Sequence, residues 1–197
     1  MDQEAPLRER KRRRAQEAII DAAFTLFTER GFADVTVAEI ADRAEVGRTT
    51  FFRYFRDKQE VVFAREQHLI EQLRALGAER SERPQKAPTF REALDHTRRA
   101  VETIIAAVTA DLDRYRLHER LIADNAELYD RKERKLTRLT EVVSDALQAQ
   151  GTPPLEAALA AHMGLACYRA ARAAAGPDPD KLKPAIDAAF DLLLHKT

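Results

Sequence analysis

The sequence predicts an all-α protein of about nine helices, and three observations carry that prediction. Ala, Leu, Glu and Arg dominate a chain of 197 residues that is 45% apolar, and these residues favour helix. Six Gly and eight Pro gather at a few junctions and leave long stretches uninterrupted. No alternating β-branched run marks a strand.

Residues 1–7 read as disordered. The first helix runs from about Leu7 or Arg8 to Arg30. Ile20, Ala23, Phe24 and Phe27 recur at helical spacing, with Ile19 and Leu26 widening the stripe. Gly31 suits the C′ position, and Phe32 can fold back on the last turn as a Schellman motif requires.

The second helix begins at Thr36, because Thr36 and Glu39 have the spacing of a capping box. Val37, Ile40, Ala41 and Ala44 then fall at i, i+3, i+4 and i+7, so one apolar stripe faces inward. Glu45, Val46 and Gly47 make a break, with Gly47 as an N-cap weaker than Ser. The third helix, Arg48 to Phe55, packs Phe51, Phe52, Tyr54 and Phe55 into five residues. At 100° per residue Phe51 and Phe55 point one way with Tyr54 beside them. Thr49 and Arg53 point the other way, flanked by Thr50 and Phe52. Such a helix suits a major groove: Arg reads guanine, and Thr meets a phosphate or a thymine methyl. Lys58 follows, where a cation can hold a phosphate. The core of these three helices should be Phe24, Phe27, Phe32, Val37, Ile40, Val46, Phe51 and Phe55.

Thr36, Ile40, Ala41, Ala44, Val46, Thr50, Phe51, Tyr54, Phe55 and Lys58 together resemble the helix-turn-helix of the tetracycline-repressor (TetR) family. The resemblance is strong from about Arg13 to His68; beyond that it rests on length and helical organisation. Three positions depart from the pattern. Glu45 stands where Gly is usual, which puts a Cβ on a left-handed turn residue. Gly47 replaces Ser and loses a cap oxygen. Phe52 replaces Tyr and loses a hydroxyl that the family offers to a phosphate. The resemblance implies an N-terminal DNA-binding domain at 1–57, with the helix-turn-helix at about 36–55. It implies a C-terminal ligand-binding and dimerisation domain at 58–197. Arg48, Thr49 and Arg53 would face bases. Thr36, Thr50, Tyr54 and Lys58 would hold phosphates, with Phe52 on the same surface.

The fourth helix, about Lys58 to Glu79, carries Val62, Leu69, Ile70, Leu73 and Leu76 and is the natural lever between the domains. Residues 80–88 form a polar, Pro-bearing linker. Thr89 and Glu92 repeat the capping-box spacing and open a fifth helix to about Thr109. A sixth runs from Asp111 to about Ala123, with a break at Asn125. A long, charged seventh runs to Gln150, with Leu128, Leu136, Leu139, Val143, Ala146 and Leu147 inward. Gly151 and the two prolines after Thr152 end it. The eighth, Leu155 to Ala175, is Ala-rich, with Gly164 permitting close approach. The ninth, Asp180 to His195, carries Leu182, Ile186, Ala189 and Leu193 on one stripe, broadened by Phe190, Leu192 and Leu194. Family resemblance pairs the last two helices with their symmetry mates as a homodimer interface. The alternative is a purely intramolecular core.

The 33 basic and 33 acidic residues cancel, which taken alone argues against nucleic acid. Their distribution matters more. Residues 8–14, RERKRRR, hold six basic and one acidic side chain. That run reads either as a solvated helix start or disordered arm, or as an arm contacting phosphates or the minor groove. The adjacent motif favours the second. A single cysteine, Cys167, allows no intramolecular disulfide and suggests a cytoplasmic protein. Neither a signal peptide nor a membrane-spanning run is visible.

No paired histidines, cysteine pair, G-x-S-x-G, P-loop or G-x-G-x-x-G appears, so no metal, cofactor or enzymatic reaction is expected. The later helices could enclose a small-molecule pocket. Candidate liners are Phe63, Phe90, His96, Ile105, Tyr115, His118, Met163, Cys167 and Tyr168, though each reads more readily as plain core than as a ligand contact. The expectation is a sequence-specific regulator, a homodimeric repressor on a palindromic operator that an unknown small-molecule effector releases. The alternative is a helical sensor or scaffold with weak DNA binding.

Overall fold

The computed structural model describes residues 7–64, 87–176 and 178–194, and among these are nine helices and no strand. They are α1 Leu7–Arg30, α2 Val37–Arg43, α3 Arg48–Tyr54, α4 Lys58–Val62, α5 Phe90–Val108, α6 Leu112–Asp124, α7 Ala126–Ala149, α8 Pro154–Ala175 and α9 Pro179–Leu194. The chain divides into two compact units, Met1–Arg65 and Glu66–Thr197. The helix expected to reach Glu79 is described only at its start. Its Leu69, Ile70, Leu73 and Leu76 lie outside the described residues.

The first unit is built by its caps and its aromatic rings. Gly31, at φ 80, ends α1 and donates its N–H to the Phe27 carbonyl at 3.0 Å. Phe32 folds back to place its ring 5.1 Å from that of Phe27. The capping box at α2 is complete in both directions. Glu45 then turns the chain at φ 54, and Gly47 caps α3 with backbone alone. Asp57 caps α4 through the Glu60 amide at 2.7 Å. Ile19, Ala23, Val35, Ile40, Ala41, Phe51, Val61 and Phe63 are fully enclosed. Val37 and Val46, expected in this core, are only half-buried, whereas Val35 and Val61 are fully enclosed. α4 packs on α1, and the compact first unit takes in α4.

In the second unit α8 is the central element, packed by α5, α7 and α9. Its buried face is Ala157, Ala160, Ala161, Gly164, Cys167, Ala171 and Ala175. A Cβ at Gly164 would lie 2.3 Å from Cγ2 of Thr97, so glycine is what lets α5 approach. Asn125 divides α6 from α7, and its side chain donates to the Leu121 carbonyl at 2.7 Å. The α9 stripe is Leu182, Ile186, Phe190 and Leu194, all buried. Leu192 is instead 56% exposed. Leu136, Leu139 and Val143 of α7, expected inward, are half-buried for a reason given below.

Candidate functional site

Helix α3 has two chemically distinct faces. Phe51 and Phe55 anchor it, their rings 5.8 Å apart and buried. Arg48, Thr49, Phe52 and Arg53 share the opposite face and are exposed, while Thr50 and Tyr54 flank it half-buried. Phe52 is 55% exposed, which is costly for a bare phenyl ring, and stands edge-on to Phe51 at 5.5 Å. Arg53 lies across Tyr54: its guanidinium is 4.9 Å from the ring centre, and Nη2 donates to the hydroxyl at 3.3 Å. The run 8–14 forms the start of α1 and not an irregular arm; its six cations are exposed.

Two of the expected phosphate ligands have other work. Lys58 Nζ donates to the carbonyls of Phe32, Ala33 and Val35 at 2.7, 3.1 and 2.8 Å, and rests 4.5 Å from the Phe32 ring centre. Three N–H donors meet three acceptors, so the ammonium pins the α1–α2 connection to the start of α4. Thr36 is exposed, but its hydroxyl accepts from the Glu39 amide and donates to the Glu39 carboxylate at 2.7 Å. That carboxylate sits at about 2, below its ordinary 4.5, mainly because Arg30 and then Thr36 donate to it. A negative charge thus stands beside Thr36, where a phosphate was expected.

The second unit holds an apolar pocket with a cavity volume of about 100 Å³. Val101, Ile104, Ile105 and Val108 come from α5, Leu136, Leu139 and Val143 from α7, and Ala161, Gly164, Leu165 and Tyr168 from α8. Thr97, Ala100 and Thr140 also face it, with Lys132 and Lys135 on the α7 side. Leu136, Leu139 and Val143 are half-buried because they wall this space. Of the liners expected from sequence, Ile105 and Tyr168 are present. Tyr115 and Cys167 belong to the packed core and Met163 packs against it. Burial also pushes the Cys167 thiol up, away from the reactive thiolate. Phe90 packs on Ala93, Leu147, Ala157 and Ala160. His96 is half-buried outside the wall, and Phe63 is enclosed in the first unit. The missed residues share one trace in the sequence. Positions 97, 101, 104 and 108 on α5, and 132, 136, 139 and 143 on α7, repeat at helical spacing opposite the small residues of α8.

Beside the pocket lies a buried ionic cluster. Glu119 of α6 receives Lys132 Nζ of α7 at 3.3 Å and the Arg172 guanidinium of α8, with His118 Nδ1 at 3.5 Å. Arg172 also donates to the Tyr115 hydroxyl at 2.8 Å. Burial by itself would raise the Glu119 carboxyl. The His118 hydrogen bond and the charges of Lys132, Arg172 and His118 outweigh it and hold the group at about 2. Among the described residues no group of His, Cys, Asp and Glu is placed to hold a metal ion, and no helix is long and apolar enough to cross a membrane.

Residues 19–64 match the model for bacterial regulatory proteins of the tetR family. Over 55 residues the chain is 46% identical to the HTH-type transcriptional regulator TcmR of Streptomyces glaucescens, covering 28% of this chain and 24% of that protein. Over 109 residues it is 33% identical to the HTH-type transcriptional regulator BetI of Brucella anthropi, covering 53% of each. The matches therefore span from about a quarter to about half of the length of these curated relatives. Among solved structures, SmeT, the repressor of the Stenotrophomonas maltophilia multidrug efflux pump SmeDEF, superposes with a TM-score of 0.60 at 21% identity, over 92% of this chain and 89% of that one. A SmeT–triclosan complex gives 0.61 at the same identity, over 92% and 90%. At that identity the likeness is one of fold.

Proposed function

For this member of the tetR family of transcriptional regulators, we propose a homodimeric repressor that binds a palindromic operator and leaves it when a small molecule fills the pocket. The observation that carries the reading is the two-faced α3, with Phe51 and Phe55 buried behind and Arg48, Thr49, Phe52 and Arg53 exposed in front. Arg48 and Arg53 would read base edges, Thr49 and Phe52 would meet thymine methyls, and Thr50 and Tyr54 would border the phosphates. The cations of 8–14 would add a sequence-independent attraction.

Dimerisation is supported by the apolar groups left in solvent on the last two helices. Leu155, Leu159, Ala166, Ala170 and Ala173 are exposed along one side of α8, and Pro184, Ala188 and Leu192 repeat every fourth residue along α9. Leu155 is 81% exposed, and a second copy of the same face would cover it. A two-fold pair would then present two α3 helices to half-sites about 34–36 Å apart. An effector releases DNA only if it binds the two arrangements of the dimer with different affinity. The pocket between α5, α7 and α8 is lined mainly by apolar side chains with a few polar groups, the lining of a small-ligand site.

The test is binding to the DNA upstream of the protein's own gene, at two salt concentrations, beside a random duplex. Tight binding that falls steeply with salt and exceeds the random control supports the repressor. Binding equal on both duplexes favours a sensor with poor DNA reading, to which zero net charge, the lack of a side-chain cap on α3 and the left-handed Glu45 would contribute. A monomer by light scattering at micromolar concentration would remove the dimer.

A further inference from the structure

The chemistry of the pocket's contents follows from its charges. Lys132 stands on the pocket wall, with Lys135 one turn along the same helix. The Lys132 side chain is 12% exposed and the Arg172 side chain 22%, and both are directed at one carboxylate, Glu119, itself 7% exposed. Glu119 is ionised at neutral pH, so the three groups sum to one excess positive charge in a largely dry setting. A buried charge is stabilised by a partner of opposite sign, and among the described residues lining the pocket there is no Asp or Glu. The rest of the lining is nearly all apolar: Val101, Ile104, Val108, Leu136, Leu139 and Leu165.

We propose that the pocket takes a small molecule with an apolar body and one anionic group, the anion seated against Lys132 and Lys135. This rests on the reading of the pocket as an effector site. Glu119 opposes an incoming anion, but Arg172, Lys132 and His118 already surround its oxygens. The anion would balance the second cation, and the apolar body would cover the exposed parts of Leu136, Leu139 and Val143. Tyr168 borders the pocket one turn before Arg172 on α8, so the occupant would also touch the helix that carries the exposed leucines.

The full chain should be titrated calorimetrically with two pairs of probes, octanoate with octanol and 2-naphthoate with 2-naphthol. In at least one pair the anion is expected to bind about tenfold or more tightly than its alcohol, the worth of one charge-assisted hydrogen bond. Lys135→Met should bring the two affinities of that pair together. Lys132→Met should do the same; because it also strips Glu119 of a partner, its melting is followed alongside. Equal affinities within both pairs, or a preference that survives both substitutions, would overturn the anion assignment and leave the effector pocket standing. Failure of all four probes to bind would overturn both.

Discussion

Residues 7–64 enclose Phe24, Phe27, Phe32, Phe51, Phe55 and Phe63 and leave only Leu7 and Phe52 exposed among their large apolar side chains, whereas the second unit leaves Leu155, Leu159 and Leu192 in solvent and keeps an apolar pocket open between three helices. The polar interior differs in the same sense. In the first unit the ion pairs Arg30–Glu39 and Arg43–Glu29 are exposed, and such pairs contribute little. In the second, Glu119, Lys132 and Arg172 are taken largely out of water. A small unit has no apolar surface to spare, so its sequence is occupied in holding one short helix rigidly. The larger unit can leave space unfilled and faces uncovered, and those are the places where a partner copy and a ligand would fit.

The contrast can be broken at its strongest point by Phe51→Ala. Emptying this fully buried site should cost the first unit about 3–5 kcal/mol, enough to unfold a unit of this size. Thermal melting followed by far-ultraviolet circular dichroism should lose that unit's transition and keep the second's. A wild-type melt would mean that Phe51 is not core.

Next in size is Glu119→Gln, which strands Arg172 and Lys132 and should destabilise the second unit by about 3 kcal/mol. The pH dependence has a definite sign. The folded carboxyl at about 2 lies below its ordinary 4.5, so its contribution is complete above pH 4.5 and is lost as pH falls through 2. Urea midpoints of the wild type should fall across that window more than those of Glu119→Gln. Parallel curves would show that the cluster is not a stabilising unit.

Arg53→Ala should weaken binding to a selected operator by about 1–3 kcal/mol and leave weak binding to random DNA unchanged. An equal loss on both duplexes would make Arg53 a phosphate contact. The smallest effect belongs to the turn. Glu45 at φ 54 is the one non-glycine residue among those described with a positive φ. Glu45→Gly removes that strain but loosens the unfolded chain, leaving a net gain of roughly 0.5–1 kcal/mol. A lower melting temperature would show that the Glu45 side chain makes a compensating contact.

The first unit was legible because its signals are local. Thr36 and Glu39 announce a capping box, Gly31 and Phe32 a helix stop, and four aromatics within five residues an anchored helix. What could not be read there depends on distance along the chain. Lys58 meets carbonyls 23 to 26 residues earlier, and nothing at position 58 distinguishes that from a phosphate contact. The helices of the second unit were equally legible, with Thr89, Asp111 and Asn125 at the expected ends. Its site was not. Tyr115, Cys167 and Met163 have the residue types of a pocket and lie in or against the core, while Leu136, Leu139 and Val143 have the types of a core and wall the pocket. Periodicity tells which side of a helix faces in; it does not tell whether two inward faces meet.

The most direct test of the central claim is selection of bound fragments from a random duplex pool by the intact protein. The account predicts enrichment of an inverted repeat whose half-sites lie about one helical turn apart, since two α3 helices related by a two-fold axis can read nothing else with equal contacts. Recovery of a single half-site, or of no sequence above the starting pool, would contradict it.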